Sequence, residues 1–198
     1  LMGIEVEKPI INEVSFKNNF TNEGGIEGTT RFLKNITGMW ILERCREQWK
    51  RFGLDYSYDD MVRMAELSEF PSLINPDDPR FANPESMLRE ITAYCEETGQ
   101  AVPASDADYI HCIFYSLANR YKEVLEILKS MSPHPIERLH VIGGGSRNDL
   151  LNQLTANAIG IPVLAGPSEA TAIGNCLIQA KSAGLLTDCW EMRRLIAT

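Results

Sequence analysis

Hydrophobic and polar positions near the start of the chain follow the two-residue period of β-strands. Apolar side chains alternate with polar ones in residues 1–7, again in residues 14–20 and over a shorter stretch in residues 30–35. This alternation is typical of strands with one buried face. Pro9 and Asn12 separate the first two segments, so we predict that these segments form a β-hairpin.

The middle of the chain changes to the three- to four-residue period of amphipathic helices. Four such stripes occur between residues 41 and 128, and residues 70–84 between them hold four prolines. We expect those prolines to make an ordered loop without regular structure. The predicted helix boundaries are a stop at Gly53, starts at Ser57, at Asn83-Pro84 and at Ser105, and a stop at Gly99.

The last third of the chain predicts a β-α-β-α unit built around residues 139–149, LHVIGGGSRND. Apolar residues that suit a buried strand run into three consecutive glycines, and helix-starting residues follow. Gly160 closes the helix, a second short strand begins at Val163, and residues 166–175 begin another helix. The apolar stripe predicted for the first of these helices consists of Leu150, Leu151, Leu154 and Ala158.

These elements indicate one α/β domain over residues 1–198, with a mixed sheet and flanking helices. A net charge of −8 disfavours a nucleic-acid partner, which requires clustered lysine and arginine. No apolar run reaches the length of a membrane span. The chain opens in the middle of a predicted strand, with its first methionine at Met2, and we therefore expect it to be a fragment.

The cysteine pattern suits a reducing cytoplasm. The five cysteines are an odd number without a C-x-x-C pair, and no histidine lies at metal-ligand spacing from them, so we predict no metal site. Cys95 and Cys112 lie near facing ends of consecutive predicted helices. They are either close neighbours or two separate reduced thiols.

The triple glycine allows three interpretations. A helix N-terminus offers unpaired N–H groups and a partial positive charge, so the turn suits a phosphate or a nucleotide. It is not a Walker A loop, because no Gly-Lys-Ser/Thr follows. A Rossmann dinucleotide turn would place Asn148 where the third glycine belongs, with Glu169 as the ribose-binding acid. The third interpretation is a tight turn without a ligand.

A second glycine-rich stretch, residues 21–28, carries Glu23 and Glu27. Two carboxylates at this spacing suit acid–base or metal chemistry. They also suit a loop whose acids are only solvated.

Several segments resemble the FGGY family of sugar kinases in the actin-like (ribonuclease-H-like) ATPase superfamily. HVIGGGSRNDLLNQLTANAIGIPV and GPSEATAIGN resemble its adenosine-binding and hinge motifs, while FTNEGGIEG, RFLKNITGMWIL and INPDDPRFANPESM recur in order. The resemblance covers essentially the whole chain. It implies the C-terminal, nucleotide-binding domain of a two-domain kinase that uses ATP and Mg²⁺ to convert a ketohexose such as L-rhamnulose into its 1-phosphate.

The resemblance also implies where ATP would bind. It places Gly143, Gly144, Gly145 and Asn148 around the nucleotide, with Asn35 and Glu43 opposite, although the family usually has glutamine at the position of Glu43. The catalytic carboxylate, the phosphate-binding turn and most of the sugar pocket would belong to an N-terminal domain outside this chain. We therefore assign no catalytic residue here.

The sequence alone leaves other activities possible. Another FGGY kinase, such as a xylulokinase or a fuculokinase, fits the same motifs. A Rossmann-type oxidoreductase and a non-enzymatic actin-like ATPase module are the remaining alternatives.

Overall fold

The computed structural model of the protein describes residues 1–196, and its elements mix strands and helices as the sequence predicts. The strands are β1 (Met2–Val6), β2 (Phe20–Gly24), β3 (Thr30–Lys34), β4 (Leu139–Val141) and β5 (Val163–Ala165). The helices are α1 (Glu13–Lys17), α2 (Trp40–Arg51), α3 (Tyr58–Leu67), α4 (Met87–Glu97), α5 (Asp106–Met131), α6 (Asp149–Ile159), α7 (Ala170–Ser182) and α8 (Cys189–Ile196). Single 3₁₀ turns cover Ile26–Gly28, Pro79–Phe81 and Gly144–Arg147.

The first three strands form an antiparallel sheet in the order β1-β3-β2. Met2 of β1 and Phe20 of β2 lie opposite the same residue of β3, Lys34. The strands predicted in residues 1–7 and 30–35 are therefore confirmed. The predicted hairpin between residues 1–7 and 14–20 is wrong, because most of the second segment is not a strand and β1 pairs with β3 instead.

Helix α1 replaces the strand predicted for residues 14–20. The side chain of Asn12 accepts a hydrogen bond from the Ser15 amide at 2.8 Å, and the Ser15 hydroxyl accepts one from the Asn12 amide at 3.0 Å. This reciprocal capping satisfies two backbone donors locally and starts a helix. Val14 and Phe16 remain exposed, so no burial of apolar surface favours the strand.

Serine side chains cap the central helices. Ser57 and Ser105 accept hydrogen bonds from the third helical amide of α3 and α5, which confirms both predicted starts. The predicted start of α4 at Asn83-Pro84 is wrong, because Ser86 caps that helix. Gly53 and Gly99 follow α2 and α4 with φ of +85° and +67°, as helix-ending glycines do.

Helix α5 connects two hydrophobic cores. Its N-terminal half, with Ile110 and Phe114, packs against α2, α3 and α4. Its C-terminal half, with Val124 and Leu128, packs beneath the antiparallel sheet against Phe32. The proline-rich loop is ordered, as predicted, because Ile74 and Phe81 are buried in the first core. The central helices therefore form the scaffold that holds the surrounding loops.

The C-terminal β-α-β-α unit is present, but its strands do not join the first sheet. Strands β4 and β5 form a separate parallel pair with Leu139 opposite Val163, so the prediction of one mixed sheet is wrong for the described residues. Met2 and Leu139 contribute to the same apolar cluster, yet a cavity separates the start of β1 from β4. β4 is only partly buried, contrary to the buried strand expected from its sequence.

Ion pairs attach the last two helices to the first sheet and its turn. Lys181 of α7 lies 2.5 Å from the Glu27 carboxylate, and Arg193 of α8 pairs with Glu5 of β1. None of the helices formed by residues 1–196 combines the length and the apolar character that crossing a membrane requires.

Cys95 of α4 and Cys112 of α5 lie side by side, which confirms that the two helix ends are neighbours. Both thiols are buried and free, so the structure contains no bridge between them. A thiol–thiol hydrogen bond to Cys95, together with burial, raises the pKa of Cys112 well above its ordinary value. Cys112 therefore stays a neutral thiol, as expected for a packed cysteine.

Candidate functional site

The triple glycine forms the turn that leaves the carboxyl end of β4. Gly143 has a φ of +78°, and residues 144–147 continue as a 3₁₀ turn before α6 begins. Ser146 stabilises this turn, because its hydroxyl donates a hydrogen bond to the Gly143 carbonyl at 2.7 Å. Asn148 accepts a hydrogen bond from the Leu151 amide at 2.8 Å and caps α6. The strand, turn and helix expected from the sequence are thus confirmed.

The three glycines serve different purposes. Gly143 has a positive φ, which residues other than glycine adopt only at a cost in free energy. Gly144 and Gly145 have no positive φ, and a Cβ atom added at either position would meet nothing within 4 Å. No packing inside this chain therefore requires glycine at those two positions, and space lies open above the turn.

A cavity of about 350 Å³ opens beside this turn. Gly145 and Ile142 form one part of its lining, and Gly38 and Met39 form the opposing part. Asn152 and Thr155 of α6 contribute two buried polar side chains. This volume falls within the range of small-molecule pockets, and the mixture of apolar walls and a few polar groups is typical of them.

The opposing wall is the loop 35–39, which joins β3 to α2. Met39 occupies the N-cap position of α2 and supplies no side-chain hydrogen bond to the helix. The amide of Thr37 donates to the Asp77 carboxylate at 2.9 Å, which fixes the middle of the loop. The cavity therefore lies between the start of α2 and the face of α6 that carries Leu151, Asn152 and Thr155.

The described residues also form two larger cavities. One of about 370 Å³ lies over β1 and β3, and one of about 540 Å³ lies between β1, residues 132–138 and α8. Neither includes the glycine turn. The cavity beside Gly145 is the better candidate because it lies at the carboxyl end of a parallel strand, where α/β proteins commonly bind ligands.

The structure brings only part of the predicted site together. Gly143, Gly144 and Gly145 lie in one turn, and Gly145 lines the cavity directly. Asn148 is adjacent to them, but its side-chain oxygen is engaged as the cap of α6. Asn35 is exposed just after the end of β3, next to the loop that forms the opposing wall.

Glu43 does not line the cavity. Its carboxylate accepts a hydrogen bond from the Tyr58 hydroxyl and lies 3.8 Å from Arg46, whose guanidinium stacks on the Tyr58 ring. The hydrogen bond to Glu43, together with burial, raises the pKa of Tyr58 above its ordinary value. Glu43 therefore connects α2 to α3 in this structure.

Sequence reasoning missed the polar part of the cavity. The predicted apolar stripe of α6 packs against the core, with Leu151 buried and Leu150, Leu154 and Ala158 partly buried. The helix also buries Asn152, Thr155 and Ile159, which the predicted stripe did not include. Asn152 donates to the Ser146 carbonyl at 2.9 Å, and the Thr155 hydroxyl donates to the Leu151 carbonyl at 2.6 Å. Two polar residues three positions apart inside an apolar stripe were the available signal.

The two carboxylates of residues 21–28 form ion pairs. Glu23 lies in β2, and its carboxylate is 2.7 Å from Arg31 of β3, so this part of the predicted loop is a strand. Glu27 pairs with Lys181, and that hydrogen bond lowers the pKa of Glu27 below its ordinary value. Each acid has a structural partner, and the two do not form an acid–base pair.

The geometry does not support the dinucleotide alternative. Asn148, in the place of the third glycine, uses its side chain to cap α6. Glu169 lies 3.5 Å from Arg147, and both side chains are exposed to solvent. Glu169 thus has a cationic partner on the surface.

Comparison with known proteins shows which family the chain matches. Residues 1–183 match the model of the FGGY family of carbohydrate kinases, C-terminal domain. The chain is 60% identical over 198 residues to the rhamnulokinase of Bacteroides thetaiotaomicron, covering 100% of the chain and 40% of that protein. It is 43% identical over 197 residues to the rhamnulokinase of Bacillus subtilis, covering 99% of the chain and 40% of that protein.

A third relative, the rhamnulokinase of Pectobacterium carotovorum, is 45% identical over 201 residues, which cover 99% of the chain and 39% of that protein. The chain thus spans about two-fifths of the length of these relatives. The comparisons do not support an oxidoreductase. The chain belongs to the FGGY family of carbohydrate kinases and corresponds to the C-terminal domain of that family.

Proposed function

We propose that this chain is the ATP-binding domain of a kinase that transfers a phosphoryl group from ATP to L-rhamnulose, giving ADP and L-rhamnulose 1-phosphate. The observation that carries the proposal is the cavity beside the glycine turn, in a chain whose relatives are named rhamnulokinases. The reducing cytoplasm is the proposed location, and the five free thiols support it.

The proposed fold is that of the actin-like (ribonuclease-H-like) ATPases. An antiparallel three-stranded sheet followed by a parallel β-α-β unit supports this assignment. In this arrangement the chain would form one of two domains, and the nucleotide would bind between them.

The proposed nucleotide position is above Gly144 and Gly145. Both glycines are exposed, and the open space above them admits a flat ring or a ribose close to the backbone. Asn148 and Asn35 would then border the nucleotide from two sides. Contact with Glu43 would require its carboxylate to leave Tyr58, so we place Glu43 at the edge of the site.

Mg²⁺ would arrive with the ATP phosphates. Residues 1–196 contain no group of three or more histidine, cysteine or acidic side chains that could hold a metal ion. Magnesium in kinases is commonly held by phosphates with one or two carboxylates. The described residues therefore do not form a magnesium site of their own.

The remaining reaction components belong, in this proposal, to the domain outside these 198 residues. Phosphoryl transfer needs the donor, the metal, a base and the acceptor hydroxyl aligned in one cleft. A carboxylate of the other domain would take the proton from the sugar hydroxyl, and that domain would bind the sugar. This chain contributes the donor side by holding the nucleotide.

A chimera tests the proposal. This chain would replace the matching segment of the Bacteroides thetaiotaomicron rhamnulokinase, to which it is 60% identical. ADP release would then be measured with L-rhamnulose, Mg²⁺ and ATP, with the unaltered relative and the isolated chain as controls. We expect activity from the chimera that depends on the sugar and none from the isolated chain. A folded but inactive chimera would contradict the proposal.

A further inference from the structure

Asp77 connects two parts of the chain that are far apart in sequence. One carboxylate oxygen accepts a hydrogen bond from the Thr37 amide at 2.9 Å. The other oxygen accepts one from the Arg120 guanidinium of α5, also at 2.9 Å. Both side chains of this ion pair are mostly buried, with exposed fractions of 22% and 18%. The pair therefore lies between the loop 35–39 and the central helix.

The surrounding charges favour an ionised Asp77. Burial alone would raise its pKa, but the Thr37 amide and the guanidinium of Arg120, with further attraction from Lys34, hold the pKa below its ordinary value. Arg120 also donates to Glu123 at 2.7 Å, which orients the guanidinium. Charge-assisted hydrogen bonds of this kind are stronger than neutral ones and define direction well.

The loop that Asp77 holds is the wall of the cavity opposite the glycine turn. Gly38 and Met39 follow Thr37 directly and line the cavity. Asp77 itself does not line the cavity; its hydrogen bond to the Thr37 amide connects it to this wall, and its ion pair with Arg120 connects it to α5, where Tyr121 also lines the cavity. We propose that Asp77 is a positioning residue that fixes the loop 35–39 against α5 and thereby sets the affinity of the site for the nucleotide. This inference rests on the function proposed above.

The neighbouring residue Asp78 provides a matched control. Its carboxylate is similarly shielded, with an exposed fraction of 27%, and it also pairs with an arginine, Arg80, at 3.3 Å. Asp78 caps the turn Pro79–Phe81 and has no bond to the loop 35–39. Replacing Asp78 therefore removes a comparable ion pair from the same segment without releasing the cavity wall.

The experiment compares Asp77→Ala, Asp77→Asn and Asp78→Ala. Amide hydrogen exchange of residues 36–39 is measured in the isolated chain, and kcat and the KM for ATP are measured in the chimera. For Asp77→Ala we expect faster exchange at Thr37 and a KM for ATP raised about ten- to a hundredfold, because the displaced wall would bind ATP less well in the ground state and in the transition state alike. The sugar KM and kcat should change much less.

Asp77→Asn keeps an oxygen acceptor for the Thr37 amide, so it should restore part of the protection and part of the ATP affinity. It also serves as the readout if Asp77→Ala does not fold. Asp78→Ala should leave both measurements near those of the parent. Unchanged exchange at Thr37, or an equal rise in KM for Asp77→Ala and Asp78→Ala, would overturn the inference. An inactive parent chimera would contradict the proposed function instead, and the exchange data would still show whether Asp77 holds the loop.

Discussion

Replacing Gly144 by valine separates nucleotide binding from folding. Valine adds a branched side chain where the structure leaves open space, since an added Cβ meets no atom within 4 Å. Gly144 also lacks the positive φ that would strain a β-branched residue. We therefore expect the free energy of unfolding of Gly144→Val to change by no more than about 0.5 kcal/mol, as for other exposed sites.

The same side chain would occupy the space assigned to the nucleotide. Loss of close contacts and backbone hydrogen bonds at such a turn costs about 1–3 kcal/mol in binding, or about 5- to 150-fold in affinity. The KM for ATP of the chimera should rise within that range, while the thermal unfolding midpoint of the isolated chain stays close to that of the parent.

Gly143→Val is the matched control. Gly143 has a φ of +78° and a ψ of −164°, a backbone conformation that is essentially restricted to glycine, so valine there should cost about 1–3 kcal/mol. The unfolding midpoint should fall by about 2–12 °C for a chain of this size. Gly144→Val with unchanged ATP affinity and an intact fold would refute the assignment of this turn to the nucleotide. A similar loss of stability in both variants would refute the separation of roles.

Three further predictions follow from the site and the core. The isolated chain should release no ADP above background with L-rhamnulose, Mg²⁺ and ATP; turnover that is lost on replacing a carboxylate of this chain would place the catalytic base here. The pKa of Asp77 is lowered in the folded chain, so its contribution to the free energy of unfolding is complete above the unfolded-state pKa of about 4 and is lost as the pH falls through the lower pKa of the folded state. Asp77→Asn should therefore make the free energy of unfolding less dependent on pH in this acidic range. An unaltered pH dependence would contradict the ion pair with Arg120. Alkylation of the unfolded, unreduced chain should label all five cysteines, and a count lower by two would indicate a bridge between Cys95 and Cys112.

The sequence predicted a helix or strand correctly where the hydrophobic pattern and the capping residues indicate the same structure. Ser57 and Ser105 precede strongly periodic helices, and both cap them in the structure. At residues 12–17 the signals conflict. The alternation of Val14 and Phe16 favours a strand, yet the capping pair of Asn12 and Ser15 produces helix α1, whose apolar side chains remain exposed.

One wall of the candidate site could be predicted from the sequence, and the opposite wall could not. The glycine turn was predictable because its strand, glycines and helix cap are contiguous in sequence. The opposite wall was not, because Thr37 is positioned by Asp77, 40 residues away along the chain. Glu43 is a similar case: its partner Tyr58 lies on the next helix, and only the folded arrangement shows that the carboxylate is already engaged.

Amide hydrogen exchange of the isolated chain, with and without ATP and Mg²⁺, tests whether ATP binds at the glycine turn. We expect ATP to slow exchange in residues 142–151 around the glycine turn and in residues 36–39 of the opposite wall, and NADH to leave both segments unchanged. Protection confined to residues 132–138, which line the cavity of about 540 Å³, or equal protection by NADH, would contradict the assignment of the ATP site to this turn.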